Sequence, residues 1–213
     1  KDKVKPILPS DPRIKYYQVD AKMELWEKRN YGVEKSSGQI IMHMDDDDYY
    51  LPTSILAKVK LLDSYWGEGI ECVGSTELGI YHLLENYSYL ATTKYLSEAS
   101  MAYTRNFWKT RGFVDQYLQW GEGCGFVRGR EKEVLDMPYH FNFIAITHHE
   151  NVTGSLRTIK KKQRGQQYDN FFNLWDRPTQ LFFMELRSKA KILSSQKILF
   201  SKKSMAKNSN KSQ

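Results

Sequence analysis

The sequence predicts an α/β fold, and two observations carry that prediction. Apolar strand candidates alternate with helical patterns along the chain, and one apolar strand runs directly into four consecutive aspartates, Asp45, Asp46, Asp47 and Asp48. At 213 residues, with 40% hydrophobic and 14% aromatic content, the chain is long enough to bury one sizeable core and too short for two ordinary enzyme domains.

Residues 13–19 (RIKYYQV) alternate and are rich in aromatics, as a short strand requires after a Pro-punctuated loop. Residues 22–34 set Met23, Leu25, Trp26, Tyr31 and Val33 among charges, which predicts a helix. Ser36, Ser37 and Gly38 end it, and residues 39–44 (QIIMHM) form the apolar strand before the aspartates. Pro52 opens the next helix, with Ile55, Leu56, Val59 and Leu62 at helical spacing. Residues 70–73 read as a strand, and residues 78–93 fit strand or helix equally. Residues 100–103 read as strand and 105–111 as a short helix. The run FNFIAIT at 141–147 is a further buried strand that delivers His148 and His149 to its end. Residues 167–191 form a helix.

The formal net charge is +7, and its distribution matters more than its size. From Lys189 onward there are seven lysines and no acid, so this segment alone supplies the excess. The division expected is a folded domain over residues 1–188 and a basic Lys/Ser-rich tail or linker over 189–213. No apolar run approaches the ~20 residues of a membrane-spanning helix, and residues 1–11 lack the apolar stretch of a secretory signal. Two cysteines, Cys72 and Cys124, are far from a disulfide framework and fit a reducing, cytoplasmic compartment. Asn151-Val152-Thr153 matches a glycosylation acceptor, a pattern too short to carry weight.

Four adjacent carboxylates repel one another, so a folded chain keeps them only if they are solvated or neutralised. In open α/β sheets ligands bind at the carboxyl ends of strands, and hard divalent cations take carboxylate oxygens there. A solvated acidic turn ahead of a helix is the plain alternative. The apolar strand before the run, with Tyr49, Tyr50 and Pro52 after it, favours metal binding.

The stretch EKRNYGV at 27–33, then SGQIIMHMDDDDYY at 37–50 and Pro52, resembles the helix, strand and DxD segment of GT-A fold glycosyltransferases, above all the large family 2. The resemblance covers roughly residues 13–165. It implies a Rossmann-like nucleotide-sugar-binding fold with a mixed central sheet flanked by helices. It also implies a Mn²⁺ or Mg²⁺ ion held at Asp45 and Asp47 that bridges the diphosphate of a nucleotide-sugar, with a UDP-sugar favoured. Asp46-x-Asp48 is the alternative register. By the same analogy Lys28, Arg29, Asn30 and Asp46 lie near the donor. The family's first strand and base-gripping loop have no counterpart in the resemblance, which enters the pattern late: either they lie outside the sequence shown or nucleotide recognition is arranged differently. The chain is also similar to glycosyltransferase domains of large algal-virus proteins associated with capsid glycan synthesis, which implies the host cytoplasm.

Gly112-Phe113-Val114-Asp115 followed by Trp120-Gly121-Glu122-Gly123 resembles the family's acceptor-side W-G-E-D segment, whose second acid deprotonates the acceptor hydroxyl. Here that position is Gly123. Either Glu122 takes the base role or the enzyme dispenses with that base and retains anomeric configuration; a carboxylate stabilises the oxocarbenium-like state in either case. His148-His149-Glu150-Asn151 matches a histidine that completes the metal site, and we assign His148. The basic run that follows, with Lys160 and Arg164, suits phosphate and a loop that closes over the donor. Trp66, Tyr81, Tyr103 and Trp120 offer rings for stacking on sugar or for core packing.

The leading expectation is therefore metal-dependent hexosyl transfer to a glycan or glycoprotein hydroxyl. Two rivals stand beside it: a polyanion or nucleic-acid module acting through the basic tail, and a degenerate GT-A domain that binds sugar without catalysis. The body carries no P-loop and no nucleic-acid motif.

Overall fold

The computed structural model describes residues 10–84, 86–115, 121–147 and 176–192. Helix α1 (Leu25–Lys35) starts at a capping box in which the Glu24 and Glu27 side chains reach each other's backbone N–H. It ends where Ser36 N–H turns back to the Val33 carbonyl. Then come β1 (Ile40–Met42), the aspartate turn, β2 (Tyr49–Tyr50) and α2 (Ser54–Ser64). Strands β3 (Cys72–Gly74), β4 (Glu77–His82), β5 (Tyr87–Thr92) and β6 (Ala102–Thr104) precede α3 (Arg105–Thr110) and α4 (Glu122–Val127). Strands β7 (Val134–Asp136) and β8 (Phe143–Thr147) follow, and α5 covers residues 177–192.

The predicted α/β architecture with mixed sheets and flanking helices is present. Its strands divide into two four-stranded sheets, ordered β1-β6-β3-β7 and β2-β8-β4-β5. In each, one pair is parallel, β3 with β7 and β4 with β8, and the others are antiparallel. Alternation along the first sheet sends Val73 and Ala102 to one face, against Leu62 of α2. Cys72, Tyr103 and Ile41 go to the other, against Val33 of α1, Phe107 of α3 and Phe126 next to the end of α4. The second sheet packs Tyr81, Ile144 and Ile146 on Phe183 of α5.

One element differs from the sequence reading, and one that it left open is decided. Residues 13–19 are exposed and form no strand, because no described strand lies alongside to accept their backbone hydrogen bonds. The ambiguous stretch at 78–93 is the β4–β5 hairpin, whose turn holds Asn86 at φ 56°, a left-handed conformation that asparagine tolerates. The basic segment expected from residue 189 begins inside α5, which runs to residue 192.

Candidate active site

The aspartate run is the crossing from one sheet to the other: β1 belongs to the first and β2, straight after Asp48, to the second. Both ends of the turn are anchored. The Asp45 N–H donates to the Tyr50 hydroxyl at 2.8 Å, and Asp45 Oδ1 lies 3.4 Å from Nη2 of Arg29. At the other end Asp48 Oδ1 accepts the Ile146 N–H of β8 at 3.0 Å. Asp46 and Asp47, at the tip, are exposed. Of the four like charges, two are thus held by a buried cation and a strand N–H, and the other two sit at the exposed tip.

Arg29 is 6% exposed, and its Nε finds no acceptor among the described residues. A guanidinium fixed in this way delivers positive charge at the base of the aspartate turn. The three residues read together on α1 diverge, since each helical step rotates by ~100°. Lys28 is exposed and lines a cleft of about 830 Å³ with Arg13, Lys15, Lys22 and Lys35. Asn30 points the other way: its Oδ1 accepts from Phe113 N–H and Trp108 Nε1–H, both at 2.9 Å, and its Nδ2 donates to the Phe113 carbonyl at 2.8 Å. Asn30 therefore ties α1 to Trp108 of α3 and to the backbone at Phe113.

His43, two residues before the run, escaped the sequence reading. Its Nε2 is 2.6 Å from the Tyr103 hydroxyl, and its ring packs on Tyr103 and Phe113. Burial, with Arg29 nearby, pushes its pKa down to about 3, so the imidazole is neutral at physiological pH. Burial drives the Tyr103 hydroxyl upward, so neither group of the pair titrates near neutral pH. The only signal in the sequence is a histidine inside an apolar strand that ends in acids. Lys58 of α2 is buried behind Tyr50, with Nζ 5.7 Å from the ring centroid, and burial lowers its pKa to about 8.

In the segment expected to serve the acceptor, Phe113 is buried and Asp115 exposed. Gly121 caps α4 at φ 92°, and Glu122 opens the helix, though its side chain lies outside the described part. Gly123 is buried, and its N–H donates to Oε1 of Glu98 at 2.5 Å. Glu98 stands in a 3₁₀ turn (Glu98–Ser100) and carries no motif in the sequence. Of the candidate platform rings, Tyr81 and Tyr103 are core residues at 1% and 0% exposure, and Trp66 is exposed beyond α2. Trp120, His148, Lys160 and Arg164 lie outside the described residues. Among the described residues, no three His, Cys, Asp or Glu side chains gather into a group able to hold a metal ion.

A short strand thus ends in an anchored acidic turn backed by an arginine from the preceding helix. Residues 1–136 match the family model described as glycosyl transferase family 2. The chain belongs to glycosyltransferase family 2. The match takes in α1, the aspartate turn, Glu98, the Gly121–Gly123 segment and β7. No curated protein matches the chain. As a family 2 glycosyltransferase it acts on a nucleotide-sugar donor and an acceptor, and no described helix is long and apolar enough to cross a membrane.

Proposed function

We propose that this glycosyltransferase transfers a hexosyl group from a UDP-sugar to a glycan or glycoprotein hydroxyl, with Mn²⁺ or Mg²⁺ at the aspartate turn. The observation that carries the reading is the turn itself: Asp45 is set by Arg29 and Tyr50, Asp48 by β8, and Asp47 stands exposed between them. Two carboxylates with hard oxygen donors fit a cation that completes its shell with substrate phosphates and water, which is the usual habit of Mg²⁺ at phosphate sites. Asp45 and Asp47 would hold it, with His148 as a third ligand. When bound, the cation supplies positive charge against the departing diphosphate.

The remaining roles belong to the chain's own side chains. Arg29 fixes the Asp45 carboxylate and brings positive charge to the diphosphate end of the site. Asp46, Lys28, Lys160 and Arg164 are assigned to the donor, and Asn30 holds the backbone at Phe113 on which the acceptor side is built. Glu122 is assigned a catalytic role on the acceptor side, as the candidate its position beside Gly123 suggests. A cytoplasmic location, in a host cell if the protein is viral, is part of the same reading; the buried thiols Cys72 and Cys124 support it.

Calorimetric titration with UDP tests the donor assignment. Binding is expected to appear with Mn²⁺ and to vanish in Asp47→Ala. Asp48→Asn, by contrast, is expected to destabilise the fold by about 1 kcal/mol through the weakened bond to Ile146. Metal-independent binding, or equal binding by Asp47→Ala, refutes the reading.

A further inference from the structure

Position 123, where the family resemblance leads one to expect an acid, is glycine, and the Glu98 carboxylate lies against it. A Cβ on Gly123 would lie 2.6 Å from the backbone oxygen of Leu96 and 3.1 Å from Oε1 of Glu98. A Cβ on Gly121 would lie 2.6 Å from the same Glu98 oxygen, at a φ of +92°. The two glycines flanking Glu122 thus clear a seat, and the carboxylate of Glu98 occupies it, with Oε1 accepting the Gly123 N–H.

The turn that carries Glu98 is held from several sides. Ser100 Oγ donates to the Ser97 carbonyl at 2.6 Å and accepts the Ser75 N–H at 2.8 Å. Asn142 Nδ2 donates to the Ser100 carbonyl at 3.2 Å. The Tyr50 hydroxyl donates to the Ala99 carbonyl at 3.3 Å while accepting the Asp45 N–H at 2.8 Å. One tyrosine oxygen therefore separates the first aspartate of the turn from the residue next to Glu98. A carboxylate on a braced turn, one residue from the Tyr50 bridge to the Asp45 backbone and hydrogen-bonded to Gly123, has the preorganisation that proton transfer needs.

We propose that Glu98 is the catalytic base, supplied from a different segment in place of the acid that position 123 cannot carry. This rests on the donor reading above. The acceptor hydroxyl oxygen attacks the anomeric carbon of the donor as its proton passes to Oε2 of Glu98. The new C–O bond forms, the bond from the anomeric carbon to the diphosphate oxygen breaks, and its electron pair leaves with UDP. Glu98 then returns the proton to solvent. Oε1 stays on the Gly123 N–H throughout, which orients the carboxylate. Glu122 keeps its acceptor-side role.

The alternative role, a cap on the first turn of α4, is separated by Glu98→Gln, whose amide oxygen still accepts the Gly123 N–H. Three readouts are compared for wild type and variant: thermal unfolding, calorimetric UDP binding with Mn²⁺, and UDP release from UDP-glucose, UDP-galactose and UDP-N-acetylglucosamine with water and monosaccharides as acceptors. The expected result is unchanged unfolding and UDP binding with release reduced about 10²- to 10⁴-fold. Release within threefold of wild type overturns the assignment and leaves the base role to Glu122, with the donor site intact. Loss of Mn²⁺-dependent UDP binding in the wild type itself fells the donor reading, a failure visible before any turnover is measured.

Discussion

Replacing Gly123 by alanine places a new carbon 2.6 Å from the Leu96 backbone oxygen and 2.9 Å from Met101 Cε, where ordinary contact begins at 3.4 Å. The methyl of Met101 can swing away; the Leu96 oxygen cannot, because it belongs to the backbone beside the braced 97–100 turn. Either α4 or that turn must move by several tenths of an ångström. Overpacking of this kind costs about 1–3 kcal/mol, and alanine recovers up to about 1 kcal/mol of helix propensity over glycine. The net expectation is destabilisation of about 1–2 kcal/mol, or a melting temperature lower by roughly 2–8 °C for a domain of this size. Gly32→Ala is the control, since it lies in α1 with no atom within 4 Å of the new carbon. It should stabilise by about 0.5–1 kcal/mol. Urea titration and thermal unfolding of both variants decide the matter. A Gly123→Ala protein as stable as wild type, or a Gly32→Ala protein equally weakened, refutes the steric account of why an acid is absent there. Gly123→Asp should be less stable than Gly123→Ala.

Two further outcomes follow from buried polar groups. Asn30→Ala strips the partners from Phe113 N–H, the Phe113 carbonyl and Trp108 Nε1–H, and should cost about 2–4 kcal/mol in urea unfolding. An effect below 1 kcal/mol would mean water replaces the amide. For His43 the folded pKa of about 3 lies below the unfolded value of 6.5, so the unfolded chain binds the extra proton between those limits. Its contribution is present above pH 6.5 and is lost as pH falls, by about 2 kcal/mol at pH 5. Wild type should therefore lose about that much more stability between pH 7 and pH 5 than His43→Gln does. Equal slopes for the two would show that the imidazole is solvated.

The sequence by itself determined the elements with strong local signatures. A capped amphipathic helix, an apolar strand, four aspartates and a Pro-opened helix follow one another within residues 22–62, and each is dictated by neighbours a few positions away. That was enough for the fold class and for the family. Residues 13–19 show the limit of the same reasoning, because alternation describes a strand only when another strand is present to pair with it.

Only the tertiary structure decided how neighbours in sequence part company. Lys28, Arg29 and Asn30 look like one basic patch when written in a row, yet helical rotation sends the first to a cleft, the second to Asp45 and the third to Phe113. The aspartates likewise separate into an Arg29-held residue, two exposed ones and a clamp on β8, because the run crosses between sheets. Glu98 was invisible for the converse reason. Its partner is 25 positions away, and nothing local to a glutamate in a short turn tells that two distant glycines have made room for it. Local periodicity encodes elements; which side chain fills a site depends on contacts between elements that the linear order does not contain.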